Sequence, residues 1–384
     1  MNWRMKSGND WGRLDLNFKN LSEISDYVNE RVKVEDLTIE NYISTENMLP
    51  NKGGIDVATK LPSAKTTSLY SKGDILLSNI RTYFKKIWYA EKDGGCSNDV
   101  LVVRARGEIE PKFLYYVLSN DKFFEYSSAT SKGTKMPRGD KSAIMQYQIP
   151  DMPLEEQRTI VGVLSALDDR IAENKKINHH LAVQSQAIYK KLITTSEKSE
   201  AILSDIATIT MGQSPKGDTY NNEKIGLPLL NGAADFRGKI TPSKWTSDPK
   251  KNVKGGEYIF GVRATIGLTT KVFSEYAIGR GTGSALVKNK LYDEFLYFVL
   301  KQLFEFFENS GSGTVYVNIS KSDFDNYKFD LPPESLIEQF HFTVKPLLDL
   351  IYNNNAENER LAKLRDTLLP KLMSGEITVS QATK

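Results

Sequence analysis

Apolar positions in this chain follow two rhythms, one helical and one extended. Over two stretches they recur at alternating steps of four and three. In the first stretch Ile160, Leu164, Leu167, Ile171, Leu181, Ile188 and Leu192 keep the frame, with Asn174, Asn178 and Ser185 as its polar members. In the second, Phe340, Val344, Leu347, Ile351, Leu361, Leu368 and Leu372 keep it, with Asn354, Asn358 and Arg365 polar. The frame returns 180 residues on and carries its two asparagines with it. A repeat of 3.5 residues sustained this long predicts long helices that meet along a coiled-coil seam. They should run from about 154 to 194 and from about 335 to 374. Pro150 and Pro153 precede the first and Pro332 and Pro333 the second, which suits helix starts.

A helix lying on its own domain has no need of a buried asparagine, whereas a seam asparagine costs stability and fixes register. Antiparallel pairing about a point near residues 176 and 356 places Asn174 opposite Asn358 and Asn178 opposite Asn354. At 1.5 Å per residue each helix is about 60 Å long, so the pair would act as a stiff spacer between two inverted domains.

The remaining sequence is written twice. FLYYVL at 113–118 returns as FLYFVL at 295–300, and LSEI at 21–24 as LSDI at 203–206, both 182 positions on. IPDMPLEEQ at 149–157 matches LPPESLIEQ at 331–339 at the same spacing. GDILLSNIR at 73–81 resembles GEYIFGVR at 256–263 with one residue dropped. Short β-branched runs such as NDVLVVR, broken by Gly and Pro, read as strands. The aromatic phrases PKFLYYVLSNDKFFEY and YDEFLYFVLKQLFEFFE read as short helices. The expected fold is therefore α+β. Two α/β domains, 1–152 and 199–334, alternate with long helices at 153–198 and 335–384, the helices forming an antiparallel coiled coil with an internal pseudo-two-fold repeat.

Composition narrows the function. The apolar fraction of 40% and the charged fraction of 26% are those of an ordinary globular chain. A net charge of +3 leaves any basic surface local. The single cysteine, Cys96, can neither staple the fold nor build a thiolate metal site, which fits a reducing cytoplasm. No leader-like segment opens the chain, and no apolar run is long enough for a membrane helix, so no membrane partner is expected.

A catalytic apparatus is missing from the pattern. GRGTGS at 279–284 should open a helix if it held a nucleotide, but the following ALVKNK reads as a strand. Neither a GxxxxGK[ST] loop nor the N/D-P-P-F/Y stretch of amino-methyltransferases is present. His179 and His180 fall outward on the first long helix and His341 flanks the second seam, as solvated or rim residues. No cluster of His, Cys and carboxylates marks a metal site. Glu155–Glu156 and Asp168–Asp169 read as a solvated or docking face of a helix.

The order of variable domain, PLEEQRTIVGVLSALDDRIAENKKI helix, variable domain and second such helix resembles the DNA-specificity subunit of type I restriction–modification systems. The P-L-E-E-Q helix start, the GDILLSNIR strand and the G-T-x-M-P-R loop carry the resemblance across nearly the whole chain. In the second half VYVN stands where the first has KMPR. The resemblance implies a non-catalytic, cytoplasmic DNA-binding subunit. Each variable domain would be a target-recognition domain reading one half of a bipartite double-stranded DNA site. Two methyltransferase subunits would bind S-adenosylmethionine and methylate adenine, and a restriction translocase-nuclease using ATP and Mg would complete the complex. This chain itself would bind no cofactor. Two alternatives are a self-contained methyltransferase with fused recognition domains and a lone specificity-like DNA-binding protein.

DNA contacts need cations for phosphate and planar polar groups for base edges. In the first half the loop SKGTKMPRGDK brings Lys132, Lys135, Arg138 and Lys141 together, with Arg138 the favoured base reader. Arg81, Tyr83, Lys85 and Lys86 follow the GDILLSN strand. In the second half the basic stretch holds Arg237, Lys239, Lys244, Lys250, Lys251 and Lys254, and the loop GSGTVYVNISK offers Tyr316, Asn318 and Lys321. Arg263 and Arg280 are further candidates there.

Overall fold

The computed structural model describes residues 17–262, 267–310 and 319–382. They divide into two compact units. The first runs to Glu173 and resumes at Ala356; the second is Asn174–Asn355. Both boundaries fall inside the long helices, which span Leu154–Thr195 and Glu334–Met373, within a residue of the bounds predicted from the apolar repeat.

In the first unit a four-stranded antiparallel sheet has the order Ser25–Tyr27, Val100–Ala105, Ile75–Ser78, Ile87–Tyr89. A second sheet of four orders Arg31–Lys33, Thr66–Tyr70, Gly94–Cys96 and Tyr42–Ile43, with the last pair parallel. A two-stranded clamp, Phe18–Asn20 with Gln148–Pro150, leads the chain to its helix. The second unit repeats the plan. Its antiparallel sheet orders Ala207–Met211, Thr282–Val287, Tyr258–Gly261 and Thr269–Lys271. Its second sheet has five strands with one parallel pair, Leu227–Leu230 with Tyr276–Ile278, and its clamp is Ser199–Ile202 with Lys328–Leu331. In each half the GDILLSN-like strand is central and buried on both faces, Ile75 and Leu77 (Tyr258 and Phe260) against the helices and Leu76 (Ile259) against residues of the second sheet, so it reads as a continuous apolar run.

The repeated aromatic phrase explains itself in the two cores. Phe113, Leu114, Tyr116, Val117 and Leu118 are buried against Ile75, Leu101 and Val103 on one side and Leu164, Leu368 and Leu372 on the other. Phe295, Leu296, Phe298, Val299 and Leu300 are buried against Tyr258, Phe260, Ile337, Phe340 and Val344. The phrase is thus the layer between sheet and long helices. Each of these side chains contributes about 1.5–3 kcal/mol by leaving water, which is why both halves retain it. The first phrase splits into helices Pro111–Leu118 and Asp121–Ala129, because Asn120 caps the second by accepting from the Lys122 amide at 2.9 Å. The second phrase continues as one helix, Asp293–Ser310.

All predicted seam positions are buried or half-buried, and Tyr189, Leu348, Leu369 and Met373 beside them are buried as well. Within the second unit Asn354 Nδ2 donates to Asn178 Oδ1 at 2.8 Å, and Asn178 Nδ2 donates to Asn355 Oδ1 at 2.9 Å. Tyr189 lies 6.0 Å from Phe340 in the same unit, so the helix segments there run antiparallel. Within the first unit Asp168 meets Arg365 and Arg170 meets Glu357, again antiparallel. Asn174 is buried and Asn358 half-buried; they lie on either side of the unit boundary.

Two sequence expectations need correction. His341 is not a rim residue: its Nδ1 is within hydrogen-bond distance of the Glu294 carboxylate, which is buried. Burial holds that carboxyl above the usual range, and His341 opposes the shift. Asp168 is not a solvated acid, because the seam arginine Arg365 and the Tyr116 hydroxyl both bind it. His179, His180, Glu155 and Glu156 are exposed, as read.

Candidate nucleic-acid interface

The two basic stretches of the first half fold onto one another. Lys132 and Arg138 exchange backbone hydrogen bonds at 2.8 and 2.9 Å, closing the loop between them into a hairpin that Gly133 turns at a φ of 94°. The hairpin docks on the segment after strand Ile75–Ser78: Arg81 N donates to Pro137 O at 2.8 Å and Gly139 N to Asn79 O at 3.1 Å. The Thr82 and Ser128 hydroxyls meet at 2.9 Å beneath it. The sequence named both clusters; the backbone exchanges that join them were not legible in it.

The charges divide by partner. Arg138 Nη2 lies 3.0 Å from Asp99 Oδ1, so its guanidinium is held with its outer edge exposed. Lys132 pairs with Asp140, which also caps helix Lys141–Ile144 through the Ser142 and Ala143 amides. The Lys132 hydrogen bond, followed by those amides, holds the Asp140 carboxyl below its ordinary value. Lys85 pairs with Asp121 at 3.0 Å, and Lys52 joins the same carboxylate at 3.2 Å. Lys86 donates to the Thr45 carbonyl at 2.6 Å, and burial lowers its pKa. Among the described residues Arg81, Lys135 and Lys141 have no side-chain ion pair, and all three are exposed. Lys52, Asp99 and Asp121 had no sequence signal, since each acts only through a neighbour remote in sequence.

Beside this cluster lies a cavity of about 410 Å³, lined by Tyr42, Ser44, Glu46, Asn47, Lys60 and Asp99 among others. Its lining mixes polar side chains with Val57, Ala58, Leu61 and Pro62 and holds no cysteine or histidine.

In the second half Asp235 organises the basic stretch. Its carboxylate accepts from the Asn231 amide at 2.8 Å and from the Ser243 hydroxyl at 3.0 Å. Arg237, Lys239, Lys244 and Lys251 are exposed. Lys244 lies 5.7 Å over the Tyr220 ring, and Lys250 pairs with Asp248 at 2.6 Å. Arg280 is exposed on the turn between strands Tyr276–Ile278 and Thr282–Val287. That turn is the GRG of the glycine-rich stretch. A Cβ at Gly279 would fall 2.1 Å from Asn231 Oδ1, and one at Gly281 2.4 Å from Asn231 O. The glycines therefore admit a neighbouring loop, and a strand follows them as expected. Lys321 opens helix Lys321–Asp325 and pairs with Asp325. Arg263, Tyr316 and Asn318 lie outside the described residues.

No group of three or more His, Cys, Asp or Glu among the described residues is placed to hold a metal. No helix searched is long and apolar enough to cross a membrane.

Known proteins resemble this chain along most of its length. The family described as "Type I restriction modification DNA specificity domain" matches twice, over residues 13–182 and 196–364. The putative type I restriction enzyme MjaX specificity subunit of Methanocaldococcus jannaschii is 29% identical over 307 residues, 73% of this chain and 72% of that protein. The MjaIX specificity subunit of the same organism is 24% identical over 380 residues, covering 90% and 87%. The crystal structure of the type I restriction-modification system S subunit from M. genitalium has the same fold, with a TM-score of 0.59 at 17% identity over 94% of this chain and 96% of that one.

Proposed function

Because this chain belongs to the type I restriction–modification DNA specificity family, we propose that it reads a bipartite duplex site, one half with each recognition domain. Residues 1–152 form the first reader and 199–334 the second. The duplication carries the reading: the family domain matches twice, and both halves repeat one sheet order, one strand clamp and one aromatic layer. Duplex DNA presents two antiparallel strands, so an internally repeated chain suits a two-part site.

In the first reader the exposed edge of Arg138 addresses a base, its fork pre-set by Asp99, while Lys135, Lys141 and Arg81 meet phosphates. Lys132, Lys85 and Lys86 act as struts of the loop before they act as contacts. In the second reader Arg237, Lys239, Lys244, Lys251 and Arg280 take the equivalent duties. Arg263, Tyr316, Asn318 and Lys321 remain further candidates for DNA contact in that half.

Chemistry belongs to other chains. Two methyltransferase subunits holding S-adenosylmethionine methylate adenine at the site, and a translocase-nuclease using ATP and Mg cleaves DNA. The test is to assemble the chain with its methyltransferase subunits and map methylated adenines in exposed DNA. The expected result is one bipartite motif, with no methyl transfer by this chain alone. Turnover by the isolated chain would establish a self-contained methyltransferase, and duplex binding that ignores the methyltransferase would establish a lone DNA-binding protein.

A further inference from the structure

An apolar tip projects from the basic surface of the first unit. Tyr83 and Phe84 are 51% and 40% exposed, with ring centroids 4.8 Å apart, and Met136 on the adjoining hairpin is 49% exposed. Three large apolar side chains facing water amid cations are costly unless something covers them.

Their backbone is held in an unusual way. Five non-glycine residues among those described have φ in the left-handed region, and four of them meet here: Asn51 at 55°, Lys52 at 61°, Arg81 at 51° and Lys85 at 53°. Arg81 and Lys85 bracket the turn that carries Tyr83 and Phe84. Two bonds from a neighbouring turn fix it, Asn51 N donating to Phe84 O and Lys52 N to Lys85 O, each at 2.8 Å. Asp121 then ties Lys52 to Lys85. Left-handed conformations at side-chain-bearing residues persist only where the surroundings enforce them, and such strain gathers at functional sites. The result is a stiff turn that cannot withdraw its rings into a core.

We infer that the Tyr83–Phe84 turn, with Met136 beside it, is a wedge that enters the base stack of duplex DNA and unstacks one step of the half-site read by the first domain. This rests on the DNA-reading role proposed above and adds a deformation that the cations alone do not supply. Apolar side chains driven between base pairs kink the duplex and draw more protein surface onto it. The step opened is read by its deformability, so Phe84 helps to set specificity without any base hydrogen bond. Arg81 flanks the tip through the Pro137 contact and would hold a phosphate beside it, while Arg138 addresses a neighbouring base.

The experiment uses the full chain assembled with its methyltransferase subunits and duplexes carrying 2-aminopurine at successive positions of the mapped half-site, away from the methylated adenines. Wild-type complex should brighten the probe at one step. Tyr83→Ala with Phe84→Ala should abolish that signal and weaken specific binding by about tenfold or more, with thermal stability and subunit assembly retained. Phe84→Leu should keep much of the signal. Phe84→Lys, which adds a cation but removes the wedge, should bind specific DNA more weakly than wild type. Specific binding without brightening at any step, or an unaffected double alanine variant, would overturn the wedge and leave the DNA-reading role standing. Loss of methyltransferase assembly in the double variant would also overturn it, by assigning the tip to a protein interface. If the wild-type complex bound no specific site, both proposals would fall.

Discussion

The guanidinium of Arg365 donates to Asp168 Oδ1 at 2.6 Å, and Asp168 Oδ2 accepts from the Tyr116 hydroxyl at 2.7 Å. Three elements of the first unit meet there: both long helices and the FLYYVL helix. Arg365 occupies a seam position, so a polar residue that breaks the apolar repeat is a tie between helix pair and recognition domain. Arg365→Met leaves a half-buried carboxylate with one partner and should cost about 1–3 kcal/mol by chemical denaturation. Adding Asp168→Leu should recover part of that loss, because the uncompensated charge goes with it. Additive losses in the double-mutant cycle would show that the pair is not coupled.

The asparagine pair makes a second prediction. Asn178→Leu strands Asn354, which is buried, and should destabilise by about 1–2 kcal/mol. Changing Asn174, Asn178, Asn354 and Asn358 together to Leu should instead stabilise the helix pair while loosening its register, read as a higher Tm with broadened cross-linking between the helices. A sharp fall in Tm for the fourfold variant would contradict a register role.

Cys96 is fully buried, and burial, its largest influence, pushes the thiol up to about 12. It should resist alkylation at pH 8 in the folded protein and react fully in denaturant. Ready labelling of the native chain would mean that the sheet around Gly94–Cys96 opens.

Burial raises the Asp121 carboxyl, but its bonds to Lys85 and Lys52 outweigh this and hold it below its usual 3.8. A depressed folded value means that the stabilisation is present above 3.8 and is lost as pH falls through that lower value. Asp121→Asn should therefore cost about 0.2–1 kcal/mol at pH 7, the range of exposed pairs, and progressively less as pH falls below 3.8. A difference that did not shrink in acid would assign the effect to packing.

The long helices, their seam and the internal repeat were legible because each is a periodic signal that burial enforces along the chain. The basic loops were legible as composition. What joins them was not: Asp99 under Arg138, Asp121 between Lys52 and Lys85, and Asp168 beneath Arg365 act across 39, 69 or 197 positions in sequence and leave no period. Left-handed φ at Arg81 and Lys85 was equally hidden, because neither residue type announces it. His341 was misread for the same reason, since its partner Glu294 comes from a helix 47 residues away in sequence.

Among the proposed DNA contacts, Lys135→Ala should weaken binding to all sequences alike and reduce the salt slope by about one unit. Arg138→Ala should cost about 1–3 kcal/mol on the specific site and relax one position of it. Equal losses on specific and random duplex for Arg138→Ala would make it a phosphate contact.

The most direct measurement is to replace residues 1–150 with those of another recognition domain, assemble the methyltransferase complex, and sequence the methylated adenines. A motif with one half-site changed and the other retained is the predicted result. A motif altered in both halves, or in neither, would contradict the claim that each copy reads its own half.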